Sequence, residues 1–117
     1  MSVARLIAYH AALNAFDLEA VEAMFDRDAE YVSPGLNGAI RGRAAIMKAM
    51  REYFAEYSDQ RAKDDEVVAL APGVVQSLWR LKATSSKTGE VVERRGREAV
   101  TFNTAGLIAH VEVFDAP

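Results

Sequence analysis

The chain has 117 residues, half of them hydrophobic, and its 14 Lys and Arg against 17 Asp and Glu give a formal net charge of −3. This length and composition predict one globular domain over residues 1–117, with a core that needs no cross-links. The absence of cysteine excludes disulfides, thiol nucleophiles and thiolate metal sites, and the mildly acidic balance disfavours nucleic acid and anionic membranes as partners.

The N-terminal segment does not have the pattern of a secretory signal, because His10 and Asn14 interrupt its apolar run. No later stretch approaches the ~18 consecutive apolar residues that a membrane-spanning helix needs. We therefore expect a soluble, cytoplasmic protein with no membrane partner.

Apolar residues at helical spacing predict a first helix from about Val3 to Ala15. At ~100° per residue, one narrow arc of this helix holds its large apolar side chains, which are Leu6, Tyr9, Leu13 and Phe16. Asp17 then provides an N-cap for a second, short helix. The two helices should therefore meet at a tight corner.

A short strand is predicted at Glu30 to Ser33, followed by a loop rich in residues that break regular structure: Pro34, Gly35, Asn37, Gly38 and Gly42. A third helix is predicted from about Arg43 to Tyr57, where apolar and aromatic side chains occupy one face opposite charged ones. Loops such as the one between these elements often border a functional site.

After Asp59 the hydrophobic pattern changes to that of strands, at about Arg61 to Ala71, Val74 to Ser85, Val91 to Asn103 and Leu107 to Phe114. Short turns separate these strands and predict an antiparallel meander. Gly96, inside one strand, indicates a bulge or a bend. Helices followed by a meander predict an α+β fold, with the helices on one face of a curved antiparallel sheet and room for a cavity between the two layers.

The order of these elements resembles the cone-shaped nuclear transport factor 2-like fold. The segment AYHAALNAFDLEAVEAMFDRDAEYVSPG resembles the opening of the steroid Δ-isomerases and the SnoaL-like polyketide cyclases, and REAVTFNTAGLIAHVEVFD resembles their closing hairpin. The resemblance implies a single SnoaL-like or ketosteroid isomerase-like domain. That superfamily includes isomerases, cyclases, dehydratases and binding modules, so the fold alone does not identify a reaction.

The resemblance to the isomerases implies three pocket positions, held in this chain by Tyr9, Ser33 and Glu98. Tyr9 and a protonated Glu98 are expected to donate hydrogen bonds to an enolate-type oxyanion. Ser33 stands where the isomerases have the aspartate base, and a serine hydroxyl does not accept a proton unaided at neutral pH. The alternatives for a base are Asp115, Asp59 and Tyr31, none of which has a motif behind it.

Strand alternation by itself places Glu98 on the apolar face of its strand, together with Val100 and Phe102. A carboxylate on this face either has a functional role that requires burial or forms an ion pair with a cation of the sheet. The candidate cations are Arg80, Arg94 and Lys82. His10 and His110 are interpreted as surface or satisfied core residues rather than catalysts. Their separation matches no metal motif, and we expect no metal and no cofactor.

The remaining predicted ligand contacts are Tyr31, Met50, Phe54, Trp79, Val100, Val111 and Asp115. Trp79 is expected to touch both core and cavity, and its indole N–H requires a partner. The basic run from Arg94 to Arg97 is expected to be divided between the two faces of its strand.

Two functions follow from this sequence. The first is an isomerase- or cyclase-type enzyme that acts on a small, mostly apolar, carbonyl-bearing molecule. The second is a non-catalytic, dimeric ligand-binding or interaction module, which Ser33 favours. Apolar residues on the outer sheet face, around Leu78 and Phe114, predict a homodimer through that face.

Overall fold

The computed structural model describes residues 2–34 and 38–116, within which three helices pack on one face of a curved, six-stranded sheet. The helices are α1 (Ser2–Asn14), α2 (Leu18–Met24) and α3 (Arg43–Glu56). The strands are β1 (Phe25–Ser33), β2 (Gly38–Arg41), β3 (Arg61–Ala71), β4 (Val74–Thr84), β5 (Val91–Phe102) and β6 (Ile108–Asp115). Among these residues, no helix is long and apolar enough to cross a membrane.

The strands follow the order β2-β1-β6-β5-β4-β3 across the sheet. The meander from β3 to β6 is antiparallel, as predicted, and the α+β fold is confirmed. One pair differs from the predicted antiparallel sheet, because β1 runs parallel to β6, with Tyr31 opposite Val111. A parallel pair requires a long crossover, and here α3 and the whole meander lie between the two strands.

The predicted loop after Ser33 contains a strand, since β2 pairs antiparallel with β1 from Ser33↔Gly38 to Glu30↔Arg41. Gly42 then begins α3 as its N-cap, with a φ of 94° that favours glycine. Gly35 and Asn37, also assigned to that loop, lie outside the described residues. The prediction was therefore wrong about the second half of the loop.

The corner between α1 and α2 matches the predicted cap. The carboxylate of Asp17 accepts the backbone N–H of Ala20 at 3.2 Å. This cap satisfies one of the free N–H groups at the start of α2. The corner presses Leu6, Tyr9 and Val21 onto the sheet, where all three are fully buried.

The glycine at position 96 is explained by close contact between strands and not by the bulge or bend that the sequence indicated. The ladder is regular on both sides, with Trp79 and Asp115 directly opposite Gly96. A Cβ atom at this position would lie 1.9 Å from the carbonyl oxygen of Phe114. Only glycine therefore allows the backbones of β5 and β6 to approach this closely.

Candidate functional site

A largely apolar cavity of about 110 Å³ lies between the sheet and the helices α1 and α3. Its apolar wall includes Leu13, Met50, Phe54, Ala62, Leu81 and Val113. Its polar wall is formed by His10, Tyr31, Ser33, Tyr53, Gln60, Asp64, Trp79, Arg94 and Glu98. The strands contribute to it with every second residue, because alternate side chains of a strand face the same layer.

His10 connects two carboxylates in the wall of this cavity. Its Nδ1 lies 2.8 Å and 2.9 Å from the two carboxylate oxygens of Asp64, and its Nε2 lies 2.5 Å from Oε1 of Glu98. On the other side of Asp64, the hydroxyl of Ser77 donates to Oδ1 at 2.7 Å. Since α1 carries His10 and the sheet carries its partners, this network joins the two layers of the fold.

The charge of His10 follows from its carboxylate neighbours. Burial alone lowers the pKa of His10, but Glu98 and Asp64 together outweigh burial and raise that pKa to about 10. Burial also opposes ionisation of Asp64, yet the hydrogen bond and the charge of His10 keep the pKa of Asp64 below its usual value. At neutral pH both ring nitrogens of His10 therefore carry protons, and each donates to a carboxylate.

An imidazolium in this state has no lone pair left for a metal ion. Across residues 2–34 and 38–116, no group of three or more His, Asp or Glu side chains is arranged to hold a metal. The imidazolium and its two carboxylates can transfer protons and form hydrogen bonds.

Two phenols lie near Glu98, and both are protonated donors at neutral pH. Tyr31 lines the cavity, whereas Tyr9 is fully buried and lies outside the lining. Burial, followed by the charge of Glu98, raises the pKa of Tyr31. Burial, followed by Tyr31 and Glu98, raises the pKa of Tyr9 well above its usual value. Only Tyr31 is therefore placed to reach a molecule in the cavity directly.

Trp79 forms another part of the wall and is 8% exposed. The guanidinium carbon of Arg94 lies 5.6 Å from the centroid of the indole ring, a typical cation–π separation. Arg94 is held in turn by Asp115, with 2.6 Å between Nη2 and Oδ1. Arg94, held in place by Asp115, therefore restricts the movement of the Trp79 indole from one face of the ring.

The structure brings six of the sequence-predicted site residues to the cavity: Tyr31, Ser33, Met50, Phe54, Trp79 and Glu98. Val100 and Val111 lie directly opposite each other in the ladder and are fully buried in the core with Tyr9, outside the lining. Asp115 also lies outside the lining and reaches it only through Arg94. The predicted lining therefore extended too far toward the closed core.

The alternative that Glu98 pairs with a strand cation is wrong. The three candidate cations pair elsewhere, in Arg80–Asp65, Lys82–Glu93 and Arg94–Asp115. The partner of Glu98 is His10, which was interpreted as a surface or core residue. A signal for this existed, because the alternation of β3 places Asp64 on the same face as Ala62. Two inward acids on the sheet require a buried cation.

The other residues considered from the sequence lie away from the cavity. His110 is part of a surface pair, with its Nδ1 3.2 Å from a carboxylate oxygen of Glu30. Asp59 accepts the backbone N–H of Thr84 at 2.8 Å on the surface. Neither residue is within the lining of the cavity.

The family model for the SnoaL-like domain matches residues 6–111 of this chain. Among curated proteins, none matches the chain in sequence. Solved structures do match it in fold. The epoxide hydrolase/cyclase-like enzyme SalBIII, which has a role in pyran ring formation in the polyether salinomycin, has a TM-score of 0.86 and 17% identity; 98% of this chain and 90% of that chain are covered.

Two further solved structures were determined with small molecules. A Mycobacterium tuberculosis protein in complex with estradiol-17β-hemisuccinate has a TM-score of 0.85 and 18% identity, covering 97% of this chain and 92% of that chain. TerC, co-crystallised with polyporic acid, has a TM-score of 0.83 and 19% identity, covering 98% of this chain and 91% of that chain. At these identities the likeness shows a shared fold.

Proposed function

We propose that the cavity of this chain, which belongs to the SnoaL-like domain family, binds a small, mostly apolar, carbonyl-bearing molecule. In this proposal Glu98 removes a proton from the carbon atom next to the carbonyl group. The observation that carries this proposal is the carboxylate of Glu98, 6% exposed in the wall of an apolar cavity and bonded through Oε1 to the imidazolium of His10. Its second oxygen remains to accept a proton from the ligand.

The role of Glu98 in this proposal differs from the donor role that the family resemblance implied. His10 donates its Nε2–H to Oε1 of Glu98 at 2.5 Å. Glu98 is then an acceptor, which suits a general base, and carboxylates serve as bases beside a carbonyl in other enzymes. The base that the isomerases have at the position of Ser33 is in this proposal supplied by Glu98 on β5.

Tyr31 is the proposed donor to the carbonyl oxygen. Its hydroxyl is protonated at neutral pH, and the residue lines the cavity near Glu98. As the proton leaves, negative charge develops on the carbonyl oxygen, and a fixed donor stabilises that charge. Tyr9 lies in the core, outside the cavity lining. The hydroxyl of Tyr9 is the oxyanion donor that the family resemblance implies only when a ligand displaces the residues that now line the cavity.

The size of the cavity limits the ligand. A dry cavity of about 150 Å³ in another protein holds one benzene ring, and the cavity here measures about 110 Å³. A one-ring ketone is larger than benzene and therefore fits this smaller cavity only when a wall residue moves. Met50 has the flexibility to yield to something larger, and the steroid ester and polyporic acid bound in the two similar folds support an apolar ligand.

The test uses acetophenone, a one-ring methyl ketone, in deuterated water. We expect saturable binding, followed through the emission of the single tryptophan, and faster exchange of the methyl protons than with heat-denatured protein. Binding without exchange would establish the non-catalytic binding module instead, which the hydroxyl side chain at Ser33 favours. Absence of both binding and exchange would contradict the proposal.

We also propose a homodimer through the outer sheet face. Leu78 is 38% exposed there and lies opposite Arg97, whose guanidinium carbon sits 4.3 Å from the ring centroid of Phe114. An apolar surface of this kind is typical of an interface between copies. Sedimentation at micromolar concentration should give the mass of a dimer, and Leu78→Asp should give a monomer. Ile7→Asp is the control, because Ile7 is also exposed but lies on α1 and not on the sheet. A monomeric parent chain would contradict the dimer.

A further inference from the structure

The indole N–H of Trp79 is a buried donor that the protein itself does not use. Among the described residues, two buried side-chain polar atoms lack a hydrogen-bond partner: the hydroxyl of Tyr9 and Nε1 of Trp79. Of these two residues, only Trp79 lines the cavity. A buried donor without a partner is unfavourable, so an acceptor that arrives with a ligand would stabilise this position.

The polar groups around Trp79 are otherwise satisfied. His10, Asp64 and Ser77 belong to the network that ends at Glu98, and Arg94 is bonded to Asp115. The indole is also held in place, since the guanidinium of Arg94 lies over its ring. A buried donor that is held in place in the wall of a cavity and has no acceptor indicates a ligand contact.

The position of Trp79 defines which part of a ligand it would meet. Trp79 lies on β4 and pairs with Gly96, while Glu98 on β5 pairs with Ser77, so Trp79 and Glu98 are diagonal neighbours on the cavity face. Tyr31 lies on β1, and β6 and β5 separate it from β4. Glu98 therefore stands between two donors, Tyr31 on one side and Trp79 on the other.

We infer that Trp79 Nε1 binds a second oxygen acceptor of the ligand, remote from the carbonyl that reacts. The ligand class is then a ketone attached to a ring that carries an ether, hydroxyl or further carbonyl oxygen on the side opposite the ketone. Tyr31 and Glu98 engage the ketone end, and Trp79 engages the other end, which fixes the orientation of the ketone in the cavity. This inference rests on the proposed function, because it requires the cavity to bind a ketone.

A matched pair of probes distinguishes the effect of the acceptor oxygen on binding from the effect of ligand shape. Para-methoxyacetophenone carries an ether oxygen where para-ethylacetophenone carries a methylene group of similar size. We expect calorimetry to show about tenfold tighter binding of the methoxy compound, the ratio that ~1.4 kcal/mol of hydrogen bonding gives. In Trp79→Phe, which keeps an aromatic ring and removes the N–H, the two compounds should bind equally.

A second measurement does not depend on the variant. The chain has a single tryptophan, so a nitrogen–proton correlation spectrum contains one indole N–H resonance, and only the methoxy compound should move it downfield. Equal binding of both compounds with an unmoved indole resonance would overturn the inference and leave the proposed function intact. Failure of both compounds to bind the parent chain would overturn the two together.

Discussion

Raising the pH from about 6.5 to about 8.5 should lower the free energy of unfolding by about 2 kcal/mol, because folding holds a proton on His10. The pKa of His10 is raised from 6.5 to about 10 in the folded protein. A group with a raised folded pKa contributes its full stability below the unfolded pKa and loses it as the pH rises toward the folded one. Each pH unit inside that window removes at most ~1.4 kcal/mol.

Urea titrations followed by tryptophan emission, at several pH values in this window, measure the effect. His10→Gln should remove the pH dependence and should destabilise the protein by about 3 kcal/mol at pH ~6.5, because Asp64 and Glu98 lose the cation between them. His110→Gln is the matched control, since that histidine lies in a surface pair with Glu30. A parent chain whose stability is flat over this pH range would show that folding does not raise the pKa of His10.

The helices and the meander are predictable because their signals are local. The Asp17 cap, the apolar arc of α1 and the alternation along β4 each act within a few residues. The pairing of β1 with β6 has no such signal, because it joins Tyr31 to Val111, which are far apart in the chain. Strand β2 has only four residues and begins with glycine, so its period is too short to detect.

The same distinction explains what the sequence shows of the site. Alternation places Glu98 on the inner face, and the structure agrees, because a strand's side-chain period is local. The role of His10 depends on how α1 is rotated over the sheet, and its partners Asp64 and Glu98 lie 54 and 88 residues away. A residue at the edge of an apolar arc can face solvent, core or cavity, and only the packing of the two layers decides.

The unpredicted partner changes the chemistry and not only the geometry. The donor role that the resemblance implied for Glu98 requires its carboxyl group to carry a proton. In the structure His10 instead donates its Nε2–H to Oε1 of Glu98 at 2.5 Å, so Glu98 is an acceptor in this hydrogen bond. Asp64 completes the arrangement, because it binds the other ring nitrogen and so orients the imidazolium toward Glu98.

Glu98→Gln should therefore slow the exchange of acetophenone methyl protons by about 10²–10⁴-fold, the usual contribution of a positioned general base. The amide has the size of the carboxylate, and its oxygen still accepts the N–H of His10, so the fold and the binding of acetophenone should persist. Proton NMR in deuterated water gives the exchange rate, and calorimetry gives the affinity. A large loss of rate at nearly constant affinity assigns the effect to proton transfer.

Glu112→Gln is the matched control, because that carboxylate lies on β6 beside His110 and outside the cavity lining. It should leave both rate and affinity unchanged. If Glu98→Gln retained the parent rate, the proton would have to leave through another group, and Glu98 would serve only to hold His10. If it lost affinity as much as rate, Glu98 would contribute to ground-state binding, because only a base that acts in the transition state separates the two measurements.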